Sequence, residues 1–390
     1  MKKLLIGILL VSLLLSMTAC AGSGKPANTP TLNTTDPQGD GPGPEDPSTA
    51  QVRILNTDPQ LQQTWIDLAG EYSRISGVNV TIVTSDGDLP TLRRVNSRGE
   101  LPENCADLSQ TNACAQLISQ ELTLRDDEGH VLAVADNMEV YGLMYNSTLL
   151  AQTANTRDDI CSFTDLTEVV YSITDAKNQL GFSAFARVDP DDQFALQIAS
   201  LSGDSRNLVE LILNNTTGDP FTIEDGAENE PLQDFLDGKA VFFLACSQEQ
   251  GILDAIGSEN IGVLPVYIGG ENEDKQTLCV APKSYWCVDA SASEADVLAT
   301  VDFLEFLTNP RENGTVPVDD LERVSPYRHA SYVSNMPEMI LRAELAMGKE
   351  PVVCRYVPQV PQGLTDALIA YAENPSDDNW SAIRQIVEQL

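Results

Sequence analysis

The sequence predicts an α/β protein that folds as two domains. Strand and helix signals alternate along residues 51–390, and strands that alternate with helices form parallel sheets covered on both faces. This stretch of about 340 residues exceeds one typical domain and suits two lobes. Apolar residues make up 42% of the chain, which is enough to fill two cores. Ligands of such folds bind beyond the carboxyl ends of the strands.

The first predicted elements are a strand, a helix and a second strand. Residues 52–55 indicate a short strand that ends at the turn 56–59. Apolar residues then recur at helical spacing over 61–72, and Gly77 is typical of a helix end. Residues 78–83 alternate between apolar and polar, as a strand does. Together these segments predict a β-α-β unit.

Later stretches of the chain also show helical spacing. Apolar residues between 297 and 307 recur three or four positions apart and stop at Asn309-Pro310. A pair of helices is predicted at the C terminus, the first beginning near Leu364 and the second carrying Trp380.

Residues 1–19 are typical of a lipoprotein signal peptide. Two lysines precede an apolar run over residues 4–15, which is too short to span a membrane because a spanning helix needs about 20 apolar residues. Residues 17–20, Met-Thr-Ala-Cys, resemble the bacterial lipobox, whose cysteine is diacylated before the preceding peptide is removed. We therefore expect Cys20 to carry a lipid. The alternative is an ordinary signal peptide in which Cys20 has no role.

Residues 20–50 have the composition of a flexible tether. After Cys20 they contain six Pro, five Gly and no aromatic residue. With Leu32 as the single large aliphatic residue, the segment cannot bury enough apolar surface to offset the entropy of ordering. We expect it to hold the folded region near a membrane without embedding it.

The charge of the chain limits its partners. Acidic residues outnumber basic ones by 58 to 23, which gives a formal net charge of −35 and a pI near 4.1. Nucleic acid as a partner is excluded, because binding its phosphates needs Lys and Arg to replace counterions. Broad contact with anionic lipid headgroups is disfavoured for the same reason. A soluble surface with strong self-repulsion accounts for most of this charge.

Seven cysteines follow Cys20, so at least one stays unpaired within the chain. The chain has two histidines and no C-x-x-C pair, and this spacing fits neither a zinc site nor a thioredoxin-like centre. No metal and no cofactor is expected. In an exported chain Cys105–Cys114 or Cys279–Cys287 would each close a short loop, and buried free thiols are the alternative.

The sequence contains no common catalytic motif. G-x-S-x-G, H-E-x-x-H and the phosphate loop are absent, and two histidines leave few ways to build His-dependent nucleophilic chemistry. A glycosidase needs only a pair of carboxylates, which 58 acidic residues always offer. We expect a binding protein and not an enzyme.

Seven short segments follow one another in a recognisable order. They are the strand-helix-strand start with Trp65 and residues 77–80, the turn 99–102, the segment 139–146 ending in Tyr-Asn, and residues 235–241, 261–265, 303–308 and 360–362. In this order they resemble the extracellular solute-binding proteins of the maltose-binding-protein type, family 1 of the ABC importer receptors. The resemblance spans nearly all of residues 51–390. It departs after Pro102, where the family has Pro-Asp and this chain has residues 103–108 instead.

The resemblance implies a two-lobed periplasmic-binding-protein-like fold, in which hinge crossovers join the lobes and ligand lies in the cleft between them. Carried over, the N-terminal lobe takes residues 51–135 plus 266–316, and the C-terminal lobe takes residues 136–265 plus 317–390. Closure on ligand is then a hinge motion that an importer can sense.

The resemblance also implies ligand-binding residues. Glu139 lies in the crossover, where a carboxylate accepts hydrogen bonds from ligand hydroxyls. The other candidates are Asn56 and Asp58 after the first strand, Asp107, Ser109 and Gln110 in a lobe-edge loop, Asp191 and Gln193 after a later strand, Gln248, and Trp286. Asn56 and Asp58 equally suit a helix N-cap, and Trp286 equally suits the core. Gln248 stands where the family commonly has an aromatic residue, which disfavours a long oligosaccharide.

The function implied is that of a solute-binding lipoprotein at the cell surface, anchored to the outer face of the cytoplasmic membrane by the lipid on Cys20. As a monomer it would capture a small solute, a carbohydrate above all, and deliver it to the permease subunits of an ABC importer. One alternative is the same fold binding a non-sugar solute such as a polyamine or peptide. Another is a surface sensor without transport.

Overall fold

The computed structural model gives the fold of the chain after residue 49. It describes residues 50–188, 198–201, 205–216, 230–246, 256–269, 277–333 and 335–389. The predicted signal peptide and all of the tether before residue 50 lie outside the described residues, and both stay predictions.

Ten strands lie in the described residues and join in one sheet. They are β1 (Gln51–Leu55), β2 (Asn79–Val83), β3 (Leu92–Val95), β4 (Thr123–Arg125), β5 (Val131–Asn146), β6 (Ser183–Phe185), β7 (Ala240–Cys246), β8 (Ile261–Leu264), β9 (Cys279–Val288) and β10 (Val352–Val353). The main path of the sheet has the order β2-β1-β3-β9-β5-β7-β6, while β10 pairs with β9, and β4 and β8 pair with β5.

The sheet is mixed, which corrects the expectation of parallel sheets. β1 pairs in parallel with β2 and β3, and β6 pairs in parallel with β7. The two longest strands, β5 and β9, run antiparallel to each other and to their neighbours β7 and β3. The alternation of strand and helix signals predicts parallel units such as β1-α-β2. It does not predict the antiparallel pairing of the long central strands β5 and β9.

Ten helices have bounds that the structure describes. They are α1 (Gln62–Ser76), α2 (Asn112–Ala115), α3 (Ser147–Gln152), α4 (Phe163–Leu180), α5 (Arg206–Asn214), α6 (Glu230–Leu236), α7 (Glu294–Thr308), α8 (Met336–Ala346), α9 (Leu364–Glu373) and α10 (Asp377–Glu388). The helices predicted from spacing are confirmed as α1, α7, α9 and α10. Gly77 ends α1 with a φ of 77°, the left-handed conformation that favours glycine. Ser293 begins α7 by accepting a hydrogen bond from the Asp296 backbone N–H.

Two hydrophobic clusters fill the described part of the chain. The first cluster packs β1, α1 and α7 around Ile54, Trp65 and Phe303. The second cluster packs α4, α5, α9 and α10 around residues such as Phe242 and Leu368. β5 and β9 contribute to both clusters, so these two paired strands form a ribbon that runs from one cluster to the other.

The clusters draw on segments distant in sequence. Side chains between 318 and 341 pack in the first cluster, and side chains between 357 and 387 pack in the second. The sequence assigns all of 317–390 to one lobe. The exact lobe boundaries stay a prediction.

The cysteine positions correct one pairing expected from the sequence. Cys279 and Cys287 lie in the same strand, β9, eight positions apart. Eight extended residues span about 27 Å, far beyond the reach of a disulfide. Cys105 and Cys114 are also free thiols here.

Two further features bear on the class of protein. Within the described ranges no helix is long and apolar enough to cross a membrane. The same ranges hold no group of three or more His, Cys, Asp and Glu side chains arranged for a metal ion.

Candidate functional site

A cleft of about 500 Å³, counting the part open to solvent, lies at the carboxyl end of β1. Because β1, β2 and β3 are parallel, their carboxyl ends meet at one edge of the sheet, where α/β folds bind ligands. The lining residues are Ile54, Leu55, Asn56, Thr57, Asp58, Trp65, Leu92, Arg93, Arg94, Trp286 and Arg323. The cleft thus gathers three of the residues predicted from the sequence, Asn56, Asp58 and Trp286.

Asn56 and Asp58 shape the turn that follows β1. The buried Asn56 side chain accepts a hydrogen bond from the Asp58 backbone N–H at 3.1 Å and donates one to the Gln62 Oε1 at 3.0 Å. Asp58 accepts a bond from the Gln60 N–H at 3.0 Å and so caps the short helical turn Pro59–Leu61. The Asp58 side chain is 40% exposed, so it also presents a carboxylate to the cleft.

A buried carboxylate stands behind the cleft. Asp136, on β5, is fully buried and accepts hydrogen bonds from the Arg323 Nη1 at 3.0 Å and from the Ser284 hydroxyl. The Arg94 Nε lies 3.2 Å from the same carboxylate. Two guanidinium groups therefore compensate one buried negative charge, which is costly to bury alone. Burial lowers the pKa of the Arg323 guanidinium from its usual value, and the charge of Asp136 opposes that change.

Arg94 connects this network to the open cleft. Its Nε donates to the Ser284 Oγ at 2.9 Å, which fixes the plane of the guanidinium. The side chain is still 35% exposed. An oriented, partly exposed guanidinium in a cleft is suited to donate hydrogen bonds to ligand oxygen atoms.

Aromatic side chains form the floor of the cleft. Trp286 is 2% exposed and lies edge-on to Trp65, with ring centroids 6.2 Å apart. Its other neighbour, Tyr327, stacks on it at 6.4 Å. Trp286 is therefore a core residue that reaches the cleft from below, as the alternative interpretation of the sequence expects. Burial also raises the pKa of the adjacent Tyr285 to about 12.

Glu139 lies further along β5, opposite Ala281 of β9. It is 6% exposed, and both of its carboxylate oxygens are engaged. The Lys283 ammonium donates to Oε1 at 2.8 Å, and the Tyr141 hydroxyl donates to Oε2 at 2.9 Å. The Lys283 ammonium also lies 5.2 Å from the centre of the Tyr356 ring. Glu139 thus lies in the ribbon formed by β5 and β9, and its place in a hinge crossover and its contact with ligand stay predictions.

The loop with Asp107, Ser109 and Gln110 lies elsewhere on the sheet. The Ser109 hydroxyl accepts a hydrogen bond from the Val131 N–H at 3.0 Å, at the first residue of β5. This position lies five residues, or about 17 Å, along β5 from the buried Asp136. Hydrogen bonds from Ser109 hold the pKa of Asp107 below its usual value. The structure does not bring these three residues to the β1 cleft.

Three other predicted residues cannot be compared with the cleft. Asp191, Gln193 and Gln248 lie outside the described residues. Their contact with ligand stays a prediction.

Sequence reasoning missed the charged residues behind the cleft. Asp136 interrupts the apolar run at the start of β5, and a lone carboxylate in such a run is a recognisable signal of a buried polar site. Arg94 adjoins Arg93 in a strand that was not predicted. Arg323 follows no pattern in the sequence, because only the fold brings it to Asp136.

The chain matches a family of known proteins. Residues 61–315 match the family model described as bacterial extracellular solute-binding protein. The chain belongs to this family. No curated protein sequence matches it significantly.

Solved structures of solute-binding proteins share the fold. The apo form of RafE from Streptococcus pneumoniae matches with a TM-score of 0.61 and 14% identity, over 90% of this chain and 99% of that chain. A family 1 extracellular solute-binding protein from Bifidobacterium longum subsp. infantis matches with a TM-score of 0.61 and 13% identity, over 87% of this chain and 99% of that chain. This solute-binding protein therefore has the two-lobed α/β fold expected from the resemblance, and a surface or periplasmic location follows from its family.

Proposed function

We propose that this solute-binding protein captures a carbohydrate and delivers it to the permease subunits of an ABC importer. The observation that carries the proposal is the β1 cleft, with oriented polar side chains over an aromatic floor. Sugar sites combine a few precise polar groups with apolar surface in a concave pocket. Two proteins of the same fold support the ligand class: RafE has been solved with raffinose, and another is a chitin oligosaccharide-binding protein.

Arg94 and Asp58 are the proposed hydrogen-bonding groups of the cleft. The guanidinium of Arg94 donates and the carboxylate of Asp58 accepts, so together they can engage neighbouring hydroxyls of one sugar ring. Asn56 shapes the turn that holds Asp58 in place. Glu139 is proposed to contact the ligand from the crossover, because it lies on the ribbon that runs between the two clusters.

We also propose that the protein binds its solute while anchored at the membrane. A lipid on Cys20 and a flexible tether over residues 20–50 would hold a monomer at the outer face of the cytoplasmic membrane. The protein would bind its solute without catalysis, in keeping with a family that is defined by solute binding.

A thermal-shift screen of the Cys20→Ser chain tests the proposed ligand class. The probes are raffinose, chitin oligosaccharides, spermidine and a tripeptide. A ligand at a hundred times its dissociation constant stabilises the folded state by about 2.7 kcal/mol, which a melting curve resolves. We expect a sugar to raise the melting temperature. A shift with spermidine or peptide and none with any sugar would overturn the proposal.

A further inference from the structure

Strand β9 carries a cysteine near each end, and each faces a second cysteine from a distant part of the chain. The Cys105 thiol raises the pKa of the Cys287 thiol, and the Cys354 thiol raises the pKa of the Cys279 thiol, so the two side chains of each pair are adjacent. These contacts match neither pairing suggested by sequence spacing.

The backbone explains why the first pair meets. Residue 105 forms an antiparallel bridge with Asp289, and the Ala106 N–H donates to the Val288 carbonyl at 2.9 Å. The segment around Cys105 therefore runs beside the end of β9 as an added strand. Positions two residues apart across such a pairing lie on the same face, so Cys105 and Cys287 point to one side.

The second pair is built in the same way at the other end of β9. Val352 of β10 pairs in parallel with Cys279, and the Cys354 N–H donates to the Val280 carbonyl at 2.7 Å. Cys354 thus follows β10 alongside β9, on the face that carries Cys279.

Each thiol pair lies within a single hydrophobic cluster. Cys287 is buried in the first cluster, with Cys105 packed against it. Cys279 is buried in the second cluster, with Cys354 packed against it. A covalent bond in either pair would tie a loop to β9 within one cluster, and would leave the ribbon between the clusters free to bend.

We propose that Cys105–Cys287 and Cys279–Cys354 form two disulfides after export. An extracellular solute-binding protein works where disulfides persist. The two side chains of each pair lie on the same face of neighbouring backbone segments, as disulfide formation requires.

The reaction needs an oxidant, which is the disulfide of a thiol–disulfide oxidoreductase or oxidised glutathione. The Cys105 thiolate attacks one sulfur of that disulfide and expels the other as a thiol. The Cys287 thiolate then attacks the Cys105 sulfur and expels the second oxidant thiol. Two electrons pass to the oxidant, and the two cysteine protons end on its thiols. The Cys287 contact lowers the pKa of Cys105, which suits Cys105 to the first attack.

Peptide mapping of the full chain with Cys20→Ser tests the proposal. The protein is incubated with oxidised glutathione, its free thiols are alkylated under denaturing conditions, and the unreduced digest is analysed by mass spectrometry. Seven cysteines remain in this chain. We expect three of them, Cys114, Cys161 and Cys246, to be alkylated, and two linked peptide pairs to join the other four. Alkylation of all seven, or linkage of other pairs, would overturn the proposal.

A melting curve supplies the second readout. Dithiothreitol should lower the melting temperature of the oxidised chain by several degrees, because a disulfide restricts the unfolded chain. Cys105→Ser and Cys354→Ser should each lose part of that difference. Cys161→Ser is the matched control, since its thiol is exposed, and it should keep the whole difference. An equal response to dithiothreitol in all four proteins would contradict the proposed pairs.

Discussion

The Arg94 guanidinium connects a buried polar network to the open cleft. Its Nε contacts Ser284 and Asp136, while the side chain remains 35% exposed. We expect Arg94→Met to weaken ligand binding tenfold to a hundredfold, because a lost hydrogen bond to a charged donor costs about 1.5–3 kcal/mol. Isothermal titration with the ligand found by the screen measures this change.

Arg98→Met is the matched control for that experiment. Arg98 lies four residues further along the chain, its side chain is 57% exposed, and its partner is the exposed Asp127 at 2.9 Å. Such a surface pair contributes little, so the control should bind as the parent does. Equal affinities for Arg94→Met and the parent would remove Arg94 from the site.

Glu139 and Lys283 form an ion pair inside the crossover ribbon. Their side chains are 8% and 20% exposed, so solvent screens the interaction between the two charges only weakly. We expect Glu139→Gln to lower the free energy of unfolding by about 1.5–3 kcal/mol, because the ammonium loses its partner charge. Urea unfolding measures the change, and Glu388→Gln, at an exposed pair with Arg384, should change it by less than about 0.5 kcal/mol.

The same Glu139→Gln protein tests the role predicted from the sequence. Direct contact with a ligand hydroxyl would weaken binding at a temperature where the variant remains folded. An unchanged dissociation constant would assign Glu139 to the stability of the crossover alone.

At the residue scale, the sequence predicted the cleft only in part. Asn56 and Asp58 follow a clear strand and line the cleft, since parallel strands present their carboxyl ends to ligands, and their contact with ligand stays a prediction. Asp107 and Ser109 follow the poorly matched stretch after Pro102, and the structure places them beside the start of β5. Arg323 joins Asp136 across 187 positions of sequence, and no local pattern reports such a contact.

At the element scale, α1 offers two glycines with opposite expected effects. Gly70 lies exposed inside the helix, and an added Cβ would meet nothing within 4 Å. Gly70→Ala should therefore raise the free energy of unfolding by about 0.5–1 kcal/mol. Gly77 ends the helix at a φ of 77°, so Gly77→Ala should lower it by about 1 kcal/mol. Urea unfolding of both variants measures the difference, and equal signs would contradict this description of α1.

The elements themselves were largely predictable where local signals are strong. Helix α1 has apolar side chains at regular spacing and a glycine stop, and α7 ends at Asn309-Pro310 as its pattern predicts. The direction of β5 and β9 was not predictable. Both strands are buried along nearly their whole length, and burial on two faces removes the alternation that would indicate which neighbours they pair with.

At the scale of the whole molecule, the lipid expected on Cys20 anchors the protein to the membrane. Cys20→Ser should move the protein from the membrane fraction to the medium, because neither the tether nor the acidic surface is suited to membrane binding. Fractionation followed by immunoblotting measures the shift. Cys161→Ser serves as the control and should remain in the membrane fraction. If Cys20→Ser also remained there, lipid attachment at Cys20 would be contradicted.

The discontinuity of the two clusters affects how the chain folds as it is exported. The first cluster draws side chains from Ala50 to Leu341, and the second draws them from Tyr141 to Val387. Contacts between residues so far apart in sequence form slowly, because the entropy of closing long loops must be overcome first. Neither cluster can be completed while the last third of the chain is still crossing the membrane. We therefore expect the polypeptide to emerge unfolded, to expose apolar surface for that interval, and to depend on its strong net negative charge to avoid aggregation before both clusters close.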